Sequence, residues 1–163
     1  MRTAICPGSY DPITLGHLNI IRRAAAIFDR VVVCVTFNSA KVSPMFSDEE
    51  KLDMVRIAVA KYPNVVVDHC ETLLAEYVKK YENPVLVKGL RAASDFDYEF
   101  QMDLVNKRIN PELETIFLTA DQEYTFLSSS IVREMARYGA DLRRLVPEEL
   151  IEFVEEKARM RRS

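Results

Sequence analysis

A chain of 163 residues with 48% hydrophobic content suits one domain that buries roughly two-thirds of its unfolded surface, and leaves little room for disorder. Its net charge of −3 provides no broad field to recruit nucleic acid, so an anionic ligand must be gripped by a few placed cations. No apolar run approaches the ~20 residues of a membrane span, and Arg2-Thr3 leads straight into a strand-like segment where a secretory leader would differ. The expectation is one soluble cytoplasmic domain over residues 1–163, with no membrane and no nucleic-acid partner.

In chain order, short β-branched runs alternate with longer helical patterns. A first strand is predicted over 3–6, followed by the loop Pro7-Gly8-Ser9-Tyr10-Asp11-Pro12 and a helix built on Leu18, Ile20, Ile21, Ala24, Ala25 and Phe28. Further strands are predicted over 31–36, 65–68, 85–87 and 115–118, several apolar on both faces as a helix-covered parallel sheet requires. Ser47 with Glu50 makes a capping box for a helix to about residue 61. Ser94 or Asp95 can cap a helix running to Asn106, and Ser128 or Ser129 another that stops near Gly139. Pro147, at a first helical position before Glu148-Glu149, opens the last helix. Cys6, Cys34 and Cys70 sit in or beside apolar runs without ligand spacing, which reads as buried thiols in a reducing compartment. The alternation predicts a Rossmann-like, doubly wound α/β fold with a five-stranded parallel sheet and helices on both faces.

Ligands of such sheets gather at the C-terminal ends of the strands. Most of the unusual polar residues fall on that rim. Ser9 and His17 follow the first strand, Lys41 the second, Lys88-Gly89-Leu90-Arg91 the fourth, and residues 124–130 the fifth. A loop and helix start after a strand present unpaired N–H groups to a phosphate, and His17 adds a side-chain donor there. Gly89 between two cations allows close backbone approach, while Arg91 grips a phosphate bidentately where Lys88 acts as a point charge. Three serines at a helix start exceed what capping needs, and the surplus hydroxyls favour an anion site. Glu99, with Asp95, Asp97 and Asp103, reads mostly as a solvated face, although one of them could orient a basic residue or hydrogen-bond a nucleobase or ribose. His69 has no such context and reads as structural or surface. Phosphate-loop, dinucleotide-fingerprint, zinc and hydrolase-elbow motifs are all absent from the sequence.

Together, Pro7-Gly8-Ser9-Tyr10-Asp11-Pro12 with Thr14-x-Gly16-His17, then Gly89-Leu90-Arg91, then Ser128-Ser129-Ser130-x-Val132-Arg133 closely resemble the bacterial phosphopantetheine adenylyltransferase family over essentially the whole chain. The resemblance implies transfer of AMP from ATP to 4′-phosphopantetheine with Mg²⁺ assisting, in a homohexamer, with coenzyme A as a feedback ligand. It implies that Ser9, Lys41, Leu74 and Lys88 contact phosphopantetheine. ATP would meet Ser9, Tyr10, His17, Gly89, Leu90, Arg91, Glu99, Tyr124, Thr125, Phe126, Leu127, Ser128, Ser129 and Ser130. His17 would stabilise the transition state, with Lys41 and Arg91 as the other catalytic groups, and no metal-ligating residue is implied. Lys88 departs from the family's usual arginine, and Tyr10 from its commoner phenylalanine.

Overall fold

In the computed structural model, which describes residues 1–37 and 43–162, the chain runs β1 (Thr3–Gly8), α1 (Leu15–Ile27), β2 (Arg30–Thr36), α2 (Asp48–Val59) and β3 (Val65–Cys70). It continues α3 (Leu74–Tyr77), β4 (Pro84–Leu90), α4 (Ala93–Ile109), β5 (Glu114–Thr119), α5 (Ser129–Arg137) and α6 (Ile151–Met160). The five strands form one parallel sheet in the order β3-β2-β1-β4-β5, the doubly wound arrangement expected from the alternation.

Alternating side chains of the central strands feed two cores. Ala4, Cys6, Val31, Val33, Val35 and Val87 pack beneath α1, α2, α5 and α6, while Ile5, Val32, Cys34 and Leu86 face Ala75, Tyr77, Val78 and Leu113 on the other side. Central β2 is buried along nearly its whole length, which is why its run Val31-Val32-Val33-Cys34-Val35 shows no polar alternation. All three cysteines are buried free thiols.

Several boundaries shift from the sequence expectation. The Ser47–Glu50 capping box is present, but α2 ends at Val59. α4 begins after Ala92 with no side-chain cap, because Asp95 is engaged by Arg91 instead. Ser128, not Ser129, caps α5 by accepting the Ile131 N–H. Gly139 then ends that helix at φ +69°, with its N–H on Ala136 and that of Ala140 on Met135, a paired closure that needs the left-handed conformation. Pro147 lies one step earlier than expected, preceding a 3₁₀ turn, Glu148–Leu150, that leads into α6. The short helix α3 has too few residues to show a 3.6-residue period.

The β1–β4 boundary is where the strand order reverses. β1 pairs with β2 from Thr3↔Arg30 to Gly8↔Val35, yet with β4 only from Thr3↔Pro84 to Ile5↔Leu86. Beyond Ile5 the two strands part, and the space between them opens towards the loops. That gap positions the site.

Candidate active site

A cavity of about 660 Å³ occupies the gap. β1 contributes Cys6, Pro7 and Gly8 to its walls, and β4 contributes Val87, Lys88 and Gly89. Of the residues expected from sequence, Ser9, Tyr10, His17, Leu74, Lys88, Gly89, Arg91, Glu99, Tyr124, Leu127, Ser128 and Ser129 all line it. Leu90, Thr125, Phe126 and Ser130 are not among its walls, and the Phe126 side chain faces solvent. Lys41 lies outside the described residues.

His17 is held by the start of its own helix. Thr14 is the N-cap of α1, and its hydroxyl accepts the His17 N–H at 3.2 Å. In return His17 Nδ1 accepts the Thr14 backbone N–H at 3.0 Å. The T-x-G-H spacing is therefore a capping box in which histidine takes the place usually held by glutamate or glutamine. A backbone N–H can only donate, so Nδ1 is an acceptor and the neutral ring carries its proton on Nε2. Burial of the ring, and secondarily the Arg91 charge, lower its pKa to about 4. The imidazole is thus a neutral donor throughout the physiological range. Tyr10 sets its other side, with the two ring centroids 5.0 Å apart in an edge-on contact.

Two cation–carboxylate pairs also line the cavity. Lys88 Nζ lies 2.6 Å from Glu99 Oε2, both side chains mostly buried. Arg91 donates through its backbone N–H and Nε to Asp95, at 3.0 and 3.1 Å, and through Nη1 to the Leu127 carbonyl at 3.0 Å. Burial pushes the Asp95 carboxyl up, but the Arg91 hydrogen bonds outweigh it and hold it below its usual range. Two of α4's acids depart from a solvated face and orient basic residues, since Asp95 and Glu99 lie on the cavity wall, each holding a cation. Tyr98 and Met102, which sequence reasoning missed, line the same wall. The signal was present, since 95, 98, 99 and 102 follow the i, i+3, i+4, i+7 pattern of one helical face.

The serine turn is also more occupied than its sequence suggests. Besides the Ser128 cap, the Ser129 hydroxyl donates to the Pro12 carbonyl at 2.7 Å, and Ser130 Oγ accepts from Arg133 at 3.1 Å. All three hydroxyls are thus engaged, Ser129 as a donor and Ser128 and Ser130 as acceptors. The donors left for an anion in the cavity are the Ser128 hydroxyl hydrogen and the first backbone N–H groups of α5, which have no intrahelical acceptor. Gly89 also has a packing reason for its size. A Cβ there would sit 2.9 Å from Ile20 Cγ1, so the close approach is between β4 and α1. His69 lies away from the cavity, stacked on Phe37 with ring centroids 5.4 Å apart. Among the described residues no three His, Cys, Asp or Glu side chains converge into a metal cage.

The cavity thus gathers a neutral imidazole donor, an anion-receptive helix start, and cations after β4, around a space that admits a nucleotide. The cytidylyltransferase-like family model matches residues 5–135. Proteins named phosphopantetheine adenylyltransferase are 48% identical over 161 residues in Dictyoglomus turgidum, spanning 99% of this chain and 100% of that one. One from Carboxydothermus hydrogenoformans is 50% identical over 159 residues, spanning 98% and 95%. A crystal structure from Vibrio parahaemolyticus, provisionally named a nicotinate-nucleotide adenylyltransferase, superposes with a TM-score of 0.74 at 16% identity, covering 99% of this chain and 96% of that one. At that identity it shows the shared fold. By its sequence, topology and site, the chain belongs to the cytidylyltransferase-like nucleotidyltransferases and, within them, to the phosphopantetheine adenylyltransferase family.

Proposed function

We propose that the protein transfers the adenylyl group of ATP to 4′-phosphopantetheine, releasing pyrophosphate and forming dephospho-coenzyme A. The observation that carries this reading is the convergence of His17, the α5 N-terminus, Lys88 and Arg91 on one cavity at the β1–β4 switch point. Near-full-length similarity to proteins of that name supports the choice of acceptor.

The chemistry asks for little beyond placement and charge. The acceptor is a phosphate monoester with a second pKa near ~6, so it is largely dianionic at neutral pH and needs no general base. One of its oxygens attacks the α-phosphorus of ATP, a P–O bond forms, and the bond to the bridging oxygen breaks as pyrophosphate leaves. The protein's tasks are to bring two polyanions together and to meet the charge on the α-phosphate. Lys88 and Arg91, with Lys41, offset the repulsion. The His17 Nε2–H donates to the α-phosphate without exchanging its proton. Leu74 lines the same cavity and offers apolar contact to the pantetheine arm.

Mg²⁺ enters in this reading as part of the ATP substrate, held by phosphate oxygens and water, because the cavity's carboxylates are already paired with cations. Assembly into a homohexamer through apolar surfaces fits the exposure of Phe96, Phe100 and Leu104 on α4 and Ile116 on β5. Feedback by coenzyme A at the same cavity, a cytoplasmic location and a single functional domain over 1–163 complete the proposal.

The test is to incubate the protein with ATP and each of two acceptors, phosphopantetheine and nicotinamide mononucleotide, and to measure pyrophosphate and adenylylated product. Stoichiometric pyrophosphate and dephospho-coenzyme A are expected. Faster turnover with nicotinamide mononucleotide would overturn the assignment, and ATP binding without pyrophosphate release would make the protein a nucleotide sensor.

A further inference from the structure

Arg133 belongs to the serine-turn motif, yet it does not line the cavity and has no part in the chemistry above. Its guanidinium is nonetheless committed to two residues that flank the site. Nη1 donates to the Asp11 backbone carbonyl at 2.7 Å and lies 3.7 Å from the Asp11 carboxylate. Nη2 donates to Ser130 Oγ at 3.1 Å. Asp11 is itself buried, and its two carboxylate oxygens accept the Phe46 and Met45 N–H groups at 2.9 and 3.0 Å. One residue away, the Ser129 hydroxyl donates to the Pro12 carbonyl.

We propose that Arg133 is a positioning residue for adenylyl transfer, fastening the anion-receptive turn of α5 to the loop that carries His17. Two walls of the cavity come from segments more than a hundred residues apart in sequence, the loop before α1 and the start of α5. An ATP molecule spanning them is correctly placed only if their separation is fixed. The forked guanidinium serves that purpose because it donates to both segments at once, in a planar geometry that an ammonium cannot reproduce. The Asp11 carboxylate beside it keeps the charge compensated and extends the same clamp to Met45 and Phe46. A displacement of about 1 Å at a phosphoryl-transfer site can lower turnover about a hundredfold without abolishing binding.

The inference rests on the adenylyl-transfer reading, and its test separates the two. Arg133→Met keeps the aliphatic stem and removes every donor. In that variant kcat is expected to fall roughly 30-fold while the ATP Kd stays within about threefold, the signature of lost placement and not lost binding. The NMR shift that ATP induces in the His17 ring should shrink by half or more. Arg133→Lys, which can still donate to the Asp11 carbonyl but lacks the fork, should recover only part of the turnover. An Arg133→Met enzyme with unchanged kcat and unchanged His17 response would overturn the proposal, whatever its melting temperature. A loss of ATP affinity as large as the loss of kcat would make Arg133 a binding residue instead. Should Arg133→Met not fold, Arg133→Gln is read by the same criteria. The ring shift needs ATP alone, so a wild-type protein inactive on phosphopantetheine would overturn the acceptor assignment and leave the positioning result standing.

Discussion

The backbone N–H of Thr14 donates to His17 Nδ1 at 3.0 Å, so the helix that presents the imidazole also decides which of its nitrogens carries the proton. The residue is therefore not free to serve as a base. Its remaining nitrogen is a fixed donor, aimed outward from a ring that burial and Arg91 keep neutral.

In solution His17 should titrate near pH 4, with the Nε2–H tautomer populated above that. Two-dimensional ¹⁵N NMR of the imidazole checks both points, and a midpoint near 6.5 would contradict the geometry. The sign of the linkage follows. The unfolded chain takes up the proton first as pH falls from 6.5 towards 4, so this group costs the native state stability over that window and contributes no change above it. His17→Ala should lower kcat by roughly 10²–10³ while ATP affinity falls much less, since the donor matters most as charge develops. Equal losses in both would leave His17 a binding residue only.

Lys88 is paired with Glu99 and, in the proposed reaction, also meets the incoming acceptor phosphate. Lys88→Arg should keep kcat within about threefold or lower the acceptor KM, because a planar fork can address carboxylate and phosphate together. Lys88→Met should raise the acceptor KM at least about tenfold, since it deletes an attraction and leaves the mostly buried Glu99 carboxylate uncompensated. Steady-state kinetics with each substrate varied separately distinguishes these outcomes. Complete inactivity of Lys88→Arg would contradict the placement.

Gly89→Ala should destabilise the protein by about 1–3 kcal/mol through overpacking against Ile20. The same change made in an Ile20→Ala background should cost markedly less, because the colliding atoms are gone. Urea unfolding of the four proteins measures the coupling directly. Equal costs in both backgrounds would mean the glycine is needed for another reason.

On the far face of the sheet, Asp68 accepts from Lys80 at 2.6 Å, Tyr77 at 2.8 Å and Tyr81 at 2.9 Å. Burial pushes its carboxyl up, but these hydrogen bonds and the His69 N–H outweigh burial and hold it well below the usual carboxylate range. Asp68→Asn should lower stability at pH 7 by about 1.5–3 kcal/mol, the value of hydrogen bonds to a charged group. The stabilisation is complete above the unfolded carboxyl pKa near ~3.9 and fades as pH falls below it, so wild type and variant should converge in acid. A difference independent of pH would show that charge plays no part.

The parallel sheet was legible because buried strands read as unbroken β-branched runs, and Val31 to Val35 could hardly be anything else. The rim was legible because one topological rule places every strand's following loop on the same edge. What stayed hidden was pairing among the site residues themselves. Glu99 and Lys88 are eleven positions apart, so no local periodicity links them. The serine hydroxyls looked surplus because their acceptors and donors, Pro12 and Arg133, enter only through tertiary structure or a turn of helix. The histidine capping box escaped because the familiar pattern expects glutamate or glutamine at that position. Local rules captured the elements, and the site's internal bonds required the fold.

The early parting of β1 from β4 also bears on hydration. Past Ile5 the β1 backbone loses a neighbouring strand, and the Cys6 carbonyl is taken up by the Tyr10 hydroxyl at 2.9 Å. Tyr10→Phe would remove that donor from a buried position and leave the oxygen to recruit a water at the cavity floor. Closure of the β1 edge beside the cavity therefore depends on one phenol, which stands in for a missing rung of the sheet.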